Sequence, residues 1–234
     1  MTESNKHYPK TIGVIMDGNR RWARARGLSP TEGHEAGYGK FKEFVRWAKE
    51  FGIKTLYVYA FSTENWNRSK NEVGYLMELF SKVLGPDAAE LIKEKVRVRF
   101  VGQIEKFPAA IRFGIRNLER ATSGFTSPTL VICVSYGGRA ETLSAVKNLI
   151  SKEGIKNISK LNEKIFEKYL WTAGSPDPEL IIRTSGEIRT SNFLPWQSAY
   201  SEWFFTKTLW PAFTKREFEK ILNDFSKREI RKGK

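Results

Sequence analysis

Residues 11–27, TIGVIMDGNRRWARARG, end a short apolar run in Asp17, Gly18 and Asn19 and follow it with Arg20, Arg21, Arg24 and Arg26. Guanidinium groups present planar forks that match phosphate oxygens. Gly18 lets a backbone approach an anion closely, and the start of a following helix offers unpaired N–H groups at its positive dipole end. At helical spacing Arg20 and Arg24 share a face, while Arg21 lies about 100° away. Some of these arginines therefore bind an anion and others face solvent; Arg21 is the preferred binder, with Arg26 in reserve. Asp17 is the odd member, because a carboxylate repels phosphate unless a cation stands between them. Mg²⁺, which favours carboxylate and phosphate oxygens, resolves that conflict. The competing use of Asp17 is as a helix N-cap.

A second segment, IIRTSGEIRTSN, repeats the theme. Arg183 and Arg189 flank a turn ending in Ser191 and Asn192, which supplies two forks and a hydroxyl for another anion. Its alternative is a charged loop with a surface salt bridge to Glu187. FSTENWNR contributes Ser62, Asn65 and Arg68, or is only a polar loop with Trp66 packed beneath it. SYGGRAE reads as a third phosphate turn or an ordinary strand-to-helix turn. No Ser–His–Asp arrangement is evident with two histidines in the chain, so the constellation speaks for handling diphosphates rather than for nucleophilic attack.

The elements that must position these groups follow from periodicity. Apolar runs at 11–16, 54–61, 96–103, 129–136, 179–184 and 201–206 read as strands. Helical 3–4 spacing links Phe41, Phe44, Val45, Ala48 and Phe51, and then Val73, Leu76, Met77, Phe80, Val83 and Leu84. Pro108 suits the first turn of a helix running to about Thr122, with Gly124 as its stop. Leu143, Val146, Leu149 and Ile150 mark another helix, and Thr214 with Glu217 forms a capping box for a last one. Strands alternating with helices predict one α/β domain, a mainly parallel six-stranded sheet flanked by helices. Ligands of such sheets bind beyond the carboxyl ends of the strands, which is where the charged segments fall. The expected organisation is a flexible segment 1–10, a domain over 11–225 and a basic tail 226–234.

The chain has 234 residues, a net charge of +14 and 40% hydrophobic residues. Such a surplus of positive charge points to phosphorylated ligands, an anionic membrane surface or nucleic acid. Nucleic acid is disfavoured, because the charge clusters at glycine-bearing strand ends rather than along one helix face and no nucleic-acid motif occurs. Cys133, the single cysteine, sits in an apolar run and reads as a buried hydrophobe. The scarcity of His and Cys excludes a structural zinc site. The first residues carry no apolar core and do not read as a signal peptide. The expectation is a cytoplasmic chain, with peripheral contact at the membrane surface left open by its charge.

MDGNRRWA, YAFSTENWNR, SYGGR and IIRTSGEIRTSNFLPWQSAYSEWFF together closely resemble the cis-prenyltransferase family, whose best-known members are undecaprenyl diphosphate synthases. The likeness runs from about Ile12 to Phe213. It implies an α/β fold with an apolar tunnel for the growing chain, usually a homodimer, that joins isopentenyl diphosphate to an allylic prenyl diphosphate. It further implies Asp17 as the carboxylate that holds Mg²⁺, with Gly18, Asn19 and Arg21 cradling the starter diphosphate beside Arg20, Trp22 and Arg26. Arg183, Arg189 and Ser191 would hold isopentenyl diphosphate, and Glu202 would help coordinate the metal there. His34, Ser62, Asn65 and Arg68 match positions that orient substrates or move the proton, and Trp66 matches a loop aromatic near them. Arg20 and Ser185 depart from the commonest bacterial pattern and resemble archaeal or eukaryotic members. Pro30 stands where many relatives place an arginine on the starter diphosphate, a contact left to Arg24 or Arg26. Arg231-Lys232-Gly233 resembles an ending that some members insert into a partner's active site; the alternative is a solvated tail.

Overall fold

A computed structural model describes residues 7–154 and 159–228. Six strands form one sheet: β1 (Thr11–Ile15), β2 (Thr55–Ser62), β3 (Arg97–Val101), β4 (Thr129–Tyr136), β5 (Leu180–Arg183) and β6 (Glu202–Phe205), in the order β3-β4-β2-β1-β5-β6. Every neighbouring pair is parallel. The strands read as continuous apolar runs because both faces are covered. Leu56, Val58, Leu130, Ile132, Leu180 and Ile182 join one core cluster, while the alternate Tyr57, Val131, Cys133 and Ile181 join another. The burial of Cys133 pushes its thiol up in pKa, as expected of an inert hydrophobe.

The first core lies under α2 (Pro30–Glu50), α3 (Lys70–Leu84), α5 (Ala109–Thr122) and α8 (Lys215–Ser226). The short α1 (Asn19–Arg24) precedes α2, α4 (Ala88–Lys93) lies between α3 and α5, and α6 (Gly138–Glu153) and α7 (Glu163–Glu167) follow β4. α2 starts well before its apolar stripe, at a full capping box in which Ser29 accepts from the Glu32 N–H and Glu32 accepts from the Ser29 N–H. Pro30 is its first helical residue, which suits a ring with fixed φ. The box expected at α8 is half formed: Thr214 accepts from the Glu217 N–H, but the Glu217 carboxylate takes the Thr206 hydroxyl instead. On α6 the periodic residues Leu143 and Val146 face solvent, while Ala145 and Leu149 carry the packing. Among the described residues no helix is long and apolar enough to cross a membrane.

Connectivity places the site. β1 leads leftward to β2, whereas β5 leads rightward to β6, so the crevice between β1 and β5 is the topological switch point of the sheet. Ile15 and Arg183 are paired there, and each strand ends within two residues of a predicted functional group.

Candidate active site

At the switch point the chain after β1 is sewn to the chain after β5. The Thr184 Oγ1 accepts from the Asp17 N–H at 3.0 Å and donates to the Asp17 carbonyl at 2.7 Å. Gly18 has φ +111, and a Cβ there would lie 2.9 Å from Leu209 and 3.1 Å from Ser185. Glycine is required both by the left-handed backbone and by the close approach. Gly18 is the N-cap of α1, with no side-chain cap. Asp17 is therefore not spent as a cap, which leaves its carboxylate for the cavity.

That carboxylate is held by arginines. Arg183 Nη2 donates to Asp17 Oδ2 at 2.8 Å, and Arg21 Nη2 approaches Oδ1 at 3.3 Å. Burial alone raises the Asp17 pKa, but the Arg183 and Ser185 hydrogen bonds and the charges of Arg183 and Arg21 outweigh it and hold the carboxyl below its ordinary value. Arg183, 3% exposed, also donates to Ser191 Oγ and the Arg189 carbonyl, both at 2.6 Å. Arg21 reaches Ser185 Oγ at 2.6 Å and Glu187 at 2.9 Å, so it leans toward β5 while Arg20 turns toward Glu72 at 3.8 Å. The expected split of this arginine cluster between two faces is seen. Glu187 pairs with both Arg21 and Arg189.

Asp17, Asn19, His34, Ser62, Asn65, Arg68, Arg183, Arg189 and Ser191 line one cavity of about 650 Å³. Glu64 and Asn192 add to the polar lining, and the inner wall is apolar: Tyr38 and Phe41 from α2, Val58 and Ala60 from β2, Ile132 from β4, and Leu76, Leu79, Phe80 and Val83 from α3. A charged mouth thus opens on a hydrocarbon interior. The Asn65 side chain accepts the Ser62 N–H at 3.0 Å, which fixes the 3-10 turn Thr63–Asn67 that follows β2. His34 and Arg68 converge on one oxygen of Glu72, at 3.2 and 2.9 Å. Desolvation lowers the His34 pKa despite Glu72, so the ring is neutral at pH 7.

Other expected residues lie elsewhere. The Trp66 indole packs against Phe61 and Phe107 and donates to Ser135 at 2.9 Å, so it is the packed residue beneath the loop rather than part of the cavity wall. Arg26 stacks over Trp22 at 4.3 Å and hydrogen-bonds the Trp22 carbonyl, and neither it nor Arg24 is among the residues that line the cavity. Glu202 pairs with Leu180 at the amino end of β6 and binds Arg228, about 10 Å along the strand from the level of Arg183. Within one chain it cannot share an ion with Asp17. The Gly137-Gly138 turn is not an anion turn. The Gly138 and Arg139 N–H groups donate to Asn192, and a Cβ on Gly138 would strike Pro195.

Glu72 and Glu64 were not legible as site residues. Glu64 also lines the cavity, where hydrogen bonds from Ser62, Thr63 and Asn192 outweigh burial and lower its pKa. Each sits among several polar neighbours in the sequence; the 3-10 turn after β2 brings Glu64 to the cavity, and the packing of α3 beside α2 brings Glu72 to His34 behind its lining. The Arg231-Lys232-Gly233 tail lies outside the described residues.

The Prenyltransf family model, that of the undecaprenyl diphosphate synthases, matches residues 15–233. An isoprenyl transferase of Thermotoga maritima is 46% identical over 96% of this chain and 97% of its own. A tritrans,polycis-undecaprenyl-diphosphate synthase of Pyrococcus abyssi, described as geranylgeranyl-diphosphate specific, is 42% identical over 97% of this chain and 87% of its own. Lavandulyl diphosphate synthase from Lavandula x intermedia, solved with dimethylallyl diphosphate, superposes with a TM-score of 0.93 at 32% identity, over 97% of this chain and 99% of that one. The charged switch point and its apolar cavity thus stand in a chain that belongs to the undecaprenyl diphosphate synthase family and is a cis-prenyltransferase.

Proposed function

We propose that this enzyme condenses isopentenyl diphosphate with an allylic prenyl diphosphate to make a cis-polyprenyl diphosphate. The observation that carries the reading is a cavity whose mouth is charged and whose interior is hydrocarbon. A prenyl diphosphate has the same division, and the cavity falls within the usual size of small-ligand sites, about 300–1,000 Å³. Arg183, Arg189 and Ser191 would hold one diphosphate; Asn19 and Arg21, with the backbone at Gly18, would hold the other. The apolar wall of α2 and α3 would act as the tunnel for the growing chain, with Ala60 and Phe80 among the residues that set its length.

The donor set fits Mg²⁺ of a particular kind. Among the described residues no three acidic, His or Cys side chains gather around a point, so no protein cage exists. A lone carboxylate beside arginines suits a magnesium ion shared with diphosphate oxygens, the way this ion is usually bound. Both Asp17 oxygens are now engaged by Arg183 and Arg21. An incoming diphosphate would take over those guanidinium groups and free Asp17 for the ion, which when bound neutralises charge on the leaving group. In the reaction, isopentenyl diphosphate forms a carbon–carbon bond to the allylic carbon as that carbon's bond to diphosphate breaks, and a proton is then lost. The arginines stabilise the charge that develops on the departing oxygens. Asn65 has no basic atom, so it orients rather than accepts the proton.

A homodimer is part of the same reading, supported by Leu143, Val146, Tyr200 and Phe205, which are exposed hydrophobics. Sedimentation as a monomer at micromolar concentration would remove it. The main test mixes protein with labelled isopentenyl diphosphate and allylic starters of two to four isoprene units, with Mg²⁺ or EDTA. Butanol-extractable product that requires both metal and Asp17 supports the proposal, and no product from folded protein with any starter sinks it.

A further inference from the structure

The sequence alone places the positive charge at strand ends, but the fold also gathers it on one helix. On α5 the positions 109, 113, 116, 117 and 120 fall within about 100° of one another, given 100° per residue. Ile111, Ile115 and Leu118 bury the opposite face against the core. The outer face carries Phe113, 61% exposed, with Arg116 and Arg120 beside it in the exposed class. Lys106 precedes the helix and is exposed, and α4, which packs against α5, exposes Ile92 and Lys93. The acidic residue of this helix, Glu119, is turned inward and accepts the Phe100 N–H at 2.8 Å. A phenyl ring set beside Arg116 and Arg120 on a helix whose one carboxylate is withdrawn has no reason in the packing of this chain; the exposed Glu90 and Glu105 lie on the flanking segments.

We infer that the outer face of α5, with Phe113 at its centre, is a docking surface for an anionic lipid membrane. The basic residues attract the negative headgroup layer, and the ring buries apolar area below it. Nucleic acid would use the same arginines but gives Phe113 and Ile92 nothing to bury in, so lipid is the occupant the chemistry favours. The position also makes sense for the proposed function, on which the biological use of this surface rests. α5 packs against α3, the wall of the hydrocarbon cavity, and a Cβ on Gly114 would touch Leu84 of that helix at 3.1 Å. A membrane under α5 would lie one helix from the chain that the enzyme makes.

The test is co-sedimentation, without substrate and at low salt, with vesicles of phosphatidylcholine alone or mixed with phosphatidylglycerol. Wild type is expected to bind the mixed vesicles only. Arg116→Glu with Arg120→Glu should weaken that binding by more than about 25-fold, since losing each basic residue near an anionic surface costs about fivefold and each new carboxylate adds repulsion. Phe113→Ser should weaken it about tenfold. Arg216→Glu with Lys220→Glu on α8 changes the net charge equally and should leave binding nearly unchanged. Condensation measured in detergent should stay at the wild-type rate in all of these variants. The inference is overturned if wild type ignores anionic vesicles, or if the α8 variant loses as much as the α5 variant. It is also overturned if the α5 changes abolish retardation of duplex DNA but not vesicle binding, or slow condensation in detergent. A wild-type protein that binds vesicles yet makes no product would instead sink the proposed activity and leave the surface standing.

Discussion

Two carboxylates in this molecule are withdrawn from water in different ways. Asp17 sits at the β1–β5 crevice, held by Arg183 and Arg21, and lines the cavity. Glu141, 1% exposed on α6, is held by neutral donors: Tyr136 at 2.5 Å, Gln197 at 3.0 Å, and the Thr172 N–H and hydroxyl at 3.0 and 3.2 Å. Both satisfy the rule that a buried charge needs donors. They differ in what can replace them. Arginines beside an open cavity can change partner from Asp17 to an incoming anion. The Tyr136, Thr172 and Gln197 donors are locked in the interior, so Glu141 ties α6 to the segment after α7 and nothing more. A buried carboxylate marks a site only when its partners have a second use.

The comparison breaks most sharply in a pair of alanine substitutions. Asp17→Ala should lower kcat by about 10³-fold, the range seen for a group that stabilises charge in the transition state. Tm should fall as well, because Arg183, 3% exposed, loses the carboxylate that balances its charge. Glu141→Ala should cost stability alone. It strands the Tyr136 hydroxyl and the Thr172 N–H, which costs about 3 kcal/mol, and Tm should fall by about 10 °C. Its kcat per folded molecule should stay at the wild-type value. The same profile for both variants in thermal scans and kinetics would mean that the two carboxylates do the same job.

A smaller effect tests how tightly the Asp17 region depends on its turn. Gly18→Ala places a side chain at φ +111 against Leu209, a strain of about 2 kcal/mol. Because the turn carries Asp17, activity should fall along with stability, unlike in the Glu141 variant. Full activity in a folded Gly18→Ala enzyme would show that the turn tolerates displacement.

The smallest effect is a pH dependence. Burial makes the folded pKa of His34 lower than its unfolded value near 6.5, so the unfolded chain binds the extra proton first. The contribution of His34 to stability is complete above that pH and is lost as pH falls below it. Asp17 contributes in a lower window: its stabilisation is complete above the unfolded carboxylate pKa near 3.8 and is lost as pH falls through the depressed folded value. Urea unfolding at pH 7 and pH 5 should therefore show a loss that His34→Gln reduces. An unchanged loss in that variant would assign the titration to another group.

Much of this was readable in the chain itself. Strand positions followed from apolar runs bounded by Gly, Asp and Ser, because a strand covered on both faces has no polar side to interrupt it. Asp17, Arg183, Arg189 and Ser191 could be placed beyond strand ends from the chain alone, but a helix N-cap and a loop salt bridge to Glu187 competed with ligand binding there; Gly18 takes the N-cap, and Glu187 does pair with Arg189. Leu143 and Val146 misled in part, for periodicity does not say whether a neighbour exists to bury them. Trp66 could be read as ligand contact or packing, and only Phe61 and Phe107 decide for packing.

The sequence by itself determined the kinds of element, the parallel sheet and the two arginine-bearing turns, since these depend on local pattern and on residue chemistry. Tertiary structure decided which turns meet. Strand order brings residue 17 to residue 183 across the crevice, leaves Glu202 at the opposite end of its strand, and draws Glu72 to His34 from a separate helix. Those pairings span long stretches of chain, and their register is set by packing across the sheet, which no local window contains.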